Sequence, residues 1–327
     1  MRSSKRLGWC FIGSGMITNS VTNDDRGLNL VSVVSGHYEN AEKLAAKHSG
    51  AKAYRTIGEA INAPGVDIVY VATPHPMHVA QTLEAINAHK PVLVEKPITV
   101  NSKELARLVE AARREKVFLA EAMWPRFNPV MKTVKSWIDA GNIGGLRHVT
   151  ADYLRYTPRD GIARLFEPSL AGGCTLDLGV YPLAFVQNFL GAHKTLRASG
   201  SLTDKQVDER MSVLLGYDNG VTGFALAGFD GTALNQGVIS GEAGTITVPT
   251  QFFCANSAEL VDHSGAKLSV KRDDPCYGYK YQSLAIEKHV ADGLLEAPEM
   301  TLQDSAEIMA QCDAIRAQLG VKYPFEN

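Results

Sequence analysis

Residues 7–18 read Leu-Gly-Trp-Cys-Phe-Ile-Gly-Ser-Gly-Met-Ile-Thr. The run from Trp9 to Gly13 has the character of a short buried strand, and the residues after Gly15 have that of a helix. A glycine turn between a strand and a helix is the setting in which backbone N–H groups and a helix N-terminus meet a phosphate. Gly13 permits the tight turn, Gly15 lets the backbone approach a pyrophosphate, and Ser14, Met16 and Ile17 complete the loop. Thr18 stands at the third glycine position, so the fingerprint is partial and a plain tight turn is the competing reading. The basic start, Met1 to Arg6, followed by apolar Leu7 to Ile17, superficially resembles a secretory leader. Three glycines interrupt that run, however, and Thr18-Asn19-Ser20 follows in place of a small-residue cleavage site.

Outward from this turn, strand and helix patterns alternate. Leu28 to Ser35 (LNLVSVVS), Val66 to Thr73 (VDIVYVAT), Pro91 to Glu95 (PVLVE) and Val117 to Ala122 read as buried strands. Helical spacing is seen over Glu39 to His48 and Met77 to Ala88, and Asn101 opens another helix as N-cap, with Glu104 completing a capping box. This alternation implies a doubly wound parallel sheet, a Rossmann-type α/β domain over residues 1–124. The pattern changes after Met123. A helix near Val130 to Ala140 is followed by strand-like runs at Arg147–Arg155, Met211–Tyr217, Gly220–Ala227, Gln236–Ser240 and Thr245–Val248, with the hairpin signal Asp218-Asn219-Gly220 between two of them. Helices near Tyr281–Leu294 and Leu302–Leu319 close the chain. Residues 125–327 are therefore expected to form an α+β domain with a mostly antiparallel sheet.

Composition narrows the function. The chain has 327 residues, net charge −2, 45% hydrophobic and 21% charged residues. That is ordinary globular composition, and it excludes a disordered chain or a general nucleic-acid binder, which needs clustered Lys and Arg. Cys10, Cys174, Cys254, Cys276 and Cys312 form no Cys-x-x-Cys pair, so a disulfide scaffold is not expected, and the thiols suit a reducing, cytoplasmic setting. No run reads as the roughly 18 apolar residues of a membrane span. No compact His/Cys/Asp cluster has metal-ligand spacing, so no metal is expected.

The chemistry-bearing residues fall at strand ends. An Asp or Glu after the second strand would bind the ribose of NAD, but the chain has Ser35-Gly36-His37, with Asn40 beyond. The missing carboxylate points to NADP, its 2′-phosphate accommodated by Ser35, His37 and Asn40 beside Gly36, with NAD as the alternative. Thr73-Pro74-His75-Pro76-Met77-His78 ends the third apolar strand, where Thr73, Pro74 and His78 are candidates for cofactor contact. Glu95-Lys96-Pro97 ends the fourth, where Glu95 and Lys96 are further candidates for cofactor contact, and a fixed ammonium there positions a substrate hydroxyl and lowers the pKa of a neighbouring acid. In Gly172-Gly173-Cys174-Thr175-Leu176-Asp177-Leu178-Gly179-Val180-Tyr181-Pro182, a helical segment would put Asp177 and Tyr181 on one face. Read alone, Tyr181 is equally a core aromatic.

In this order, GSGMIT (13–18), ATPHPMH (72–78), EKP (95–97) and AGGCTLDLGVYP (171–182) resemble the glucose-fructose oxidoreductase / inositol dehydrogenase / rhizopine-catabolism family along nearly the whole chain. The resemblance implies a Rossmann domain and a C-terminal domain whose large open sheet forms a homodimer interface. It makes Lys96 and Tyr181 the catalytic pair, with Asp177 positioning the substrate. Many members carry His at the position of Tyr181. Tyr there, with EAMWPRF (121–127) and RLFEPSLAGG (164–173), is similar to the subgroup of dimeric dihydrodiol dehydrogenase and NADP-dependent D-xylose dehydrogenase. The implied substrate is a cyclic polyol, sugar or trans-dihydrodiol, with Trp124, Arg126 and Tyr153, and with them Arg155 and Tyr156, as candidate pocket residues. The family's usual basic residue after the second strand is absent here. Two other readings stay open: a non-catalytic NADP-binding regulator, and a sugar–sugar oxidoreductase with tightly bound NADP.

Overall fold

In the computed structural model, residues 6–274 and 276–326 are described. The apolar runs of the first half become parallel strands because both of their faces are covered. They are β1 (Gly8–Ile12), β2 (Asn29–Val34), β3 (Lys52–Tyr54), β4 (Ile68–Val71), β5 (Val92–Glu95) and β6 (Leu119–Ala122), paired in the order β3-β2-β1-β4-β5-β6. All neighbours are parallel. The crossovers carry α1 (Met16–Asp24), α2 (Tyr38–Ala45), α3 (Ile57–Ile61), α4 (His78–Asn87) and α5 (Ser102–Glu115). Asn101 caps α5 by accepting from the Glu104 N–H at 2.9 Å, while the Glu104 carboxylate accepts from Val100 N at 3.3 Å. The strand order reverses between β1 and β4. That switch point opens a crevice at the carboxyl ends of the strands.

The chain divides into two compact units, residues 1–124 with 276–306, and residues 125–275 with 307–327. The strand pattern suggests one piece over 125–327, whereas the structure returns 276–306 to the first unit. Three polar ties hold it there. Asp24, at the end of α1, accepts from the backbone N–H groups of Tyr277, Gly278 and Lys280 and so caps α8 (Tyr279–Ala291). Glu287 of α8 accepts from the buried Trp9 Nε1 at 2.9 Å and from Arg6 Nε at 2.7 Å. Leu119 N donates to Leu295 O at 3.1 Å.

In the second unit, α6 (Pro129–Asp139) begins at Asn128, whose side chain accepts from Val130 N at 2.9 Å. Eight strands follow: β7 (Leu146–Leu154), β8 (Thr195–Leu202), β9 (Asp208–Gly216), β10 (Thr222–Gly228), β11 (Gly237–Gly241), β12 (Gly244–Val248), β13 (Ser257–Asp262) and β14 (Lys267–Lys271). Their order is β14-β13-β12-β11-β7-β10-β9-β8. Only β7 and β10 pair in parallel, so the sheet is mixed and mostly antiparallel. Burial alternates along β7, β9 and β10, so one face is packed and the other open. α7 (Val180–Leu190) lies on β7 and β10. The Asp218-Asn219-Gly220 hairpin joins β9 to β10, with Asn219 and Gly220 at φ of +59° and +75°. α9 (Leu302–Leu319) closes the chain.

Read along the sequence, no run is apolar enough to span a membrane, yet by length and composition Pro168–Leu190 is. Its apolarity has a packing cause, since 89% of that window is buried inside the protein.

Candidate active site

In the first unit, the loops after β1, β2, β4 and β5 share the carboxyl edge of the sheet. Gly13 sits at φ +112°, and a Cβ there would stand 2.3 Å from the carbonyl oxygen of Ala72, so only glycine lets the β1 loop pass the end of β4. Gly13 N donates to Val34 O at 2.8 Å, and Ser14 Oγ donates to Ser35 Oγ at 2.9 Å, which draws the β1 and β2 loops together. Gly15 is the N-cap of α1, and the space where its Cβ would point is open. Met16 is exposed and Ile17 half-buried beside it. Gly36 is equally open, His37 is the N-cap of α2, and Asn40 is exposed on its first turn. This open glycine turn at a helix start fits a dinucleotide pyrophosphate. Thr18 at the third glycine position is fully buried, and its hydroxyl donates to Gly15 O at 2.9 Å.

At the ends of β4 and β5 the side chains mostly hold the backbone. Thr73 Oγ1 donates to Gln81 Oε1 at 2.6 Å, and Pro74 leads into the short turn His75–Met77. The His78 ring is wholly buried, with Nε2 at 2.8 Å from Thr73 O and Nδ1 at 3.0 Å from Pro97 O. Burial lowers its pKa, so the ring is neutral and donates to one of those carbonyls. His78 thus ties the two strand-end loops together and does not present its ring to a ligand. Glu95 is buried, accepting from Tyr70 Oη and from Lys96 N, the latter at 3.2 Å. Lys96 is half-buried, and the Lys96–Pro97 peptide is cis.

The second unit builds its candidate site on the glycine turn before α7. Gly173 has φ +121°, and a Cβ there would lie 2.1 Å from Asp208 Oδ1. The turn is wound round that buried carboxylate, whose Oδ2 accepts from Thr175 N at 2.6 Å and from Cys174 Sγ at 3.1 Å. Burial, and then Asp208, push the Cys174 thiol well above its ordinary pKa, so it stays a neutral donor. Residues Thr175–Gly179 form a π-turn that runs without a break into α7, and Pro182, which has no N–H to donate, lies just past that wider turn. Asp177, in the π-turn, is 5% exposed and lies between two guanidinium groups, Arg164 at 3.2 Å and Arg155 at 3.7 Å. Tyr181 is 8% exposed, with its ring centroid 5.6 Å from both Tyr153 and Phe253. Tyr153 stacks on Phe253 at 4.3 Å. Burial pushes the Tyr153 phenol up to about 12, with Asp177 adding to the rise and Arg155 opposing it. The carboxylate, the two phenols and the Phe253 ring thus form one cluster.

The Rossmann part, residues 7–123, matches the family described as "Oxidoreductase family, NAD-binding Rossmann fold", and residues 131–247 match the "GFO/IDH/MocA C-terminal domain". The trans-1,2-dihydrobenzene-1,2-diol dehydrogenase of Danio rerio is 32% identical over 332 residues, which cover 97% of this chain and 98% of the relative. The chain belongs to the GFO/IDH/MocA oxidoreductase family. It is an NAD(P)-dependent oxidoreductase. Two solved structures share the fold of this family member. A 3-ketoreductase from Actinomadura kijaniata, in complex with NADP and TDP-benzene, has a TM-score of 0.82 at 23% identity, covering 96% of this chain and 98% of that one. A levoglucosan dehydrogenase, in complex with NADH and levoglucosan, has a TM-score of 0.84 at 18% identity, covering 96% and 97%.

Within this GFO/IDH/MocA chain, some expected pocket residues have packing tasks. Trp124 is 2% exposed, its ring 5.3 Å from Tyr277 and 4.8 Å from Tyr279 in the returning segment. Arg126 donates to Asn188 Oδ1 at 2.7 Å and to Gln187 Oε1, which ties it to α7. Tyr156 is exposed. Phe253 and Asp208 carry no local sequence signal of a site role. For Arg164 the one signal is its place at the start of the RLFEP segment that carries the subgroup resemblance. Among the described residues, no group of His, Cys, Asp and Glu is arranged to hold a metal ion.

Proposed function

We propose that the protein oxidises or reduces a carbinol or carbonyl carbon of a cyclic polyol, sugar or trans-dihydrodiol, with NADP preferred over NAD. The carrying observation is the Tyr181–Tyr153–Phe253 aromatic cluster beside the arginine-flanked Asp177. Aromatic faces suit the C–H face of a saturated or diene ring, and a carboxylate suits its hydroxyls. The whole-length similarity to a trans-1,2-dihydrobenzene-1,2-diol dehydrogenase supports the diol arm of this reading. Support for NADP comes from residues 35–37, where no carboxylate meets the ribose.

When bound, the nicotinamide supplies the hydride acceptor or donor. Tyr181 takes the hydroxyl proton during oxidation and returns it during reduction. A phenol ordinarily titrates near pH 10, and the Lys96 ammonium is assigned to bring it into working range. Lys96 belongs to the first unit and Tyr181 to the second, so their pairing rests on the order of the family motifs. Asp177 accepts a second substrate hydroxyl, and Arg155 and Arg164 orient its carboxylate. Ser14, Gly15 and the α1 N-terminus are assigned to the pyrophosphate. The open face of the eight-stranded sheet, where Leu214 is exposed, is assigned to a homodimer.

The test is growth of reduced-nicotinamide absorbance with NADP or NAD against D-xylose, D-glucose and a trans-dihydrodiol. Turnover on one substrate, lost by at least 100-fold in Tyr181→Phe with nucleotide binding retained, is the expected result. Near-wild-type turnover by that variant removes Tyr181 from its role. Stoichiometric NADP binding with no turnover on any polyol favours a regulator.

A further inference from the structure

The family resemblance leaves a gap, because no basic residue follows β2. The structure brings one in from the neighbouring strand. β3 runs parallel to β2 with Val34 opposite Tyr54. The next residues at this carboxyl edge are Ser35 and Arg55. The guanidinium carbon of Arg55 lies 4.1 Å from the centroid of the Tyr38 ring. Tyr38 is the first residue of α2, directly after Ser35-Gly36-His37. An arginine laid on an aromatic face is held in place while its in-plane N–H groups stay available to an anion. Among the described residues, Arg55 has no carboxylate partner. The nearby Glu59 carboxylate is occupied as a helix cap, accepting from Thr56 N at 3.1 Å and Thr56 Oγ1 at 2.9 Å. Glu39 is the acid in the first turn of α2, and it is exposed. Ser35 Oγ, bonded to Ser14, joins this corner to the glycine turn, and the space beside Gly36 is open.

We propose that Arg55, stacked on Tyr38, is the cation that takes the 2′-phosphate of NADP in this chain. An arginine near the end of β2 is what a 2′-phosphate requires, and here the residue is contributed by β3. The proposal rests on the NADP reading above and sharpens it to a residue.

Calorimetric titration of the whole protein with 2′,5′-ADP and with 5′-ADP tests it without turnover. The wild type is expected to bind 2′,5′-ADP more tightly. Arg55→Ala should weaken that ligand by about 10–100-fold, leave 5′-ADP within about twofold, and flatten the salt dependence. Arg55→Lys should recover part of the loss, and Tyr38→Leu should lose part of it. If the wild type prefers 2′,5′-ADP and Arg55→Ala keeps that preference, Arg55 is not the phosphate cation and the NADP reading stands without it. Equal weakening of both ligands makes Arg55 a structural residue and also overturns the proposal. A wild type that does not distinguish the two nucleotides removes the NADP reading, and the proposal with it.

Discussion

Asp208→Ala removes the acceptor round which the glycine turn before α7 is wound. The lost contact is a 2.6 Å hydrogen bond from the buried Thr175 N–H to a carboxylate, with a weaker one from Cys174 Sγ. A hydrogen bond to a charged group is worth about 1.5–3 kcal/mol, and the orphaned N–H and the space left by the carboxylate bring the cost to about 2–4 kcal/mol. For a unit of this size that is a fall in Tm of about 5–15 °C. Asp208→Asn keeps an acceptor oxygen and should cost less. Gly173→Ala approaches the same contact from the other side, because its Cβ would stand 2.1 Å from Asp208 Oδ1 at φ +121°. Combining it with Asp208→Ala relieves the clash and leaves the backbone strain, about 1–3 kcal/mol, so the double variant should cost less than the two single costs added together. Differential scanning calorimetry of the four variants closes the cycle. The turn sets the start of the segment that carries Asp177 and Tyr181, so kcat should fall along with Tm. A Tm for Asp208→Ala within about 2 °C of wild type, or strict additivity in the double variant, refutes the reasoning.

Glu287→Leu should destabilise the first unit by about 2–4 kcal/mol, because Trp9 Nε1–H loses its acceptor and Arg6 keeps only Asp25. Urea unfolding followed by tryptophan fluorescence measures this, and a change under about 0.5 kcal/mol contradicts it. Tyr153 is held neutral by burial, with its pKa pushed up to about 12 from an ordinary 10. Its contribution, about 2–3 kcal/mol, is present in full below pH 10 and lost as pH rises toward 12. Tyr153→Phe should therefore lose less stability than wild type between about pH 9.5 and 11.5, and parallel losses in urea titrations would contradict it.

What was legible in the sequence was short-range and apolar. The β1 strand and its glycine turn, the strand ends at Thr73 and Glu95, the hairpin at Asn219-Gly220 and the helix Leu302–Leu319 all follow from local pattern. The strands left unread are short or polar on one face. β3 is three residues with one lysine, and β14 carries Lys267, Ser269 and Lys271 at an edge of its sheet. Missing β3 also hid Arg55, which has no local signal apart from the strand it follows. Asp208 and Glu287 were invisible for a related reason. Each is a single acid in an ordinary helix or strand, and its partners, Thr175 and Trp9, are remote in the chain. Trp124 and Arg126 are the opposite case. Their residue types suggest a sugar pocket, but their surroundings are those of packing residues.

The return of residues 276–306 to the six-stranded unit has a consequence for how the protein comes into being. The acceptor for the Trp9 indole, the carbonyl for Leu119 N and the backbone that Asp24 caps all leave the ribosome after the second unit's sheet has been made. A nascent chain that has exposed only its first 124 residues holds a six-stranded sheet with one side unfinished. The nucleotide-binding half is therefore not a contiguous cassette to be cut out or grafted elsewhere. Its completion waits on residues 276–306 being translated, and a chain broken off between the two units would leave its oldest segment the least finished.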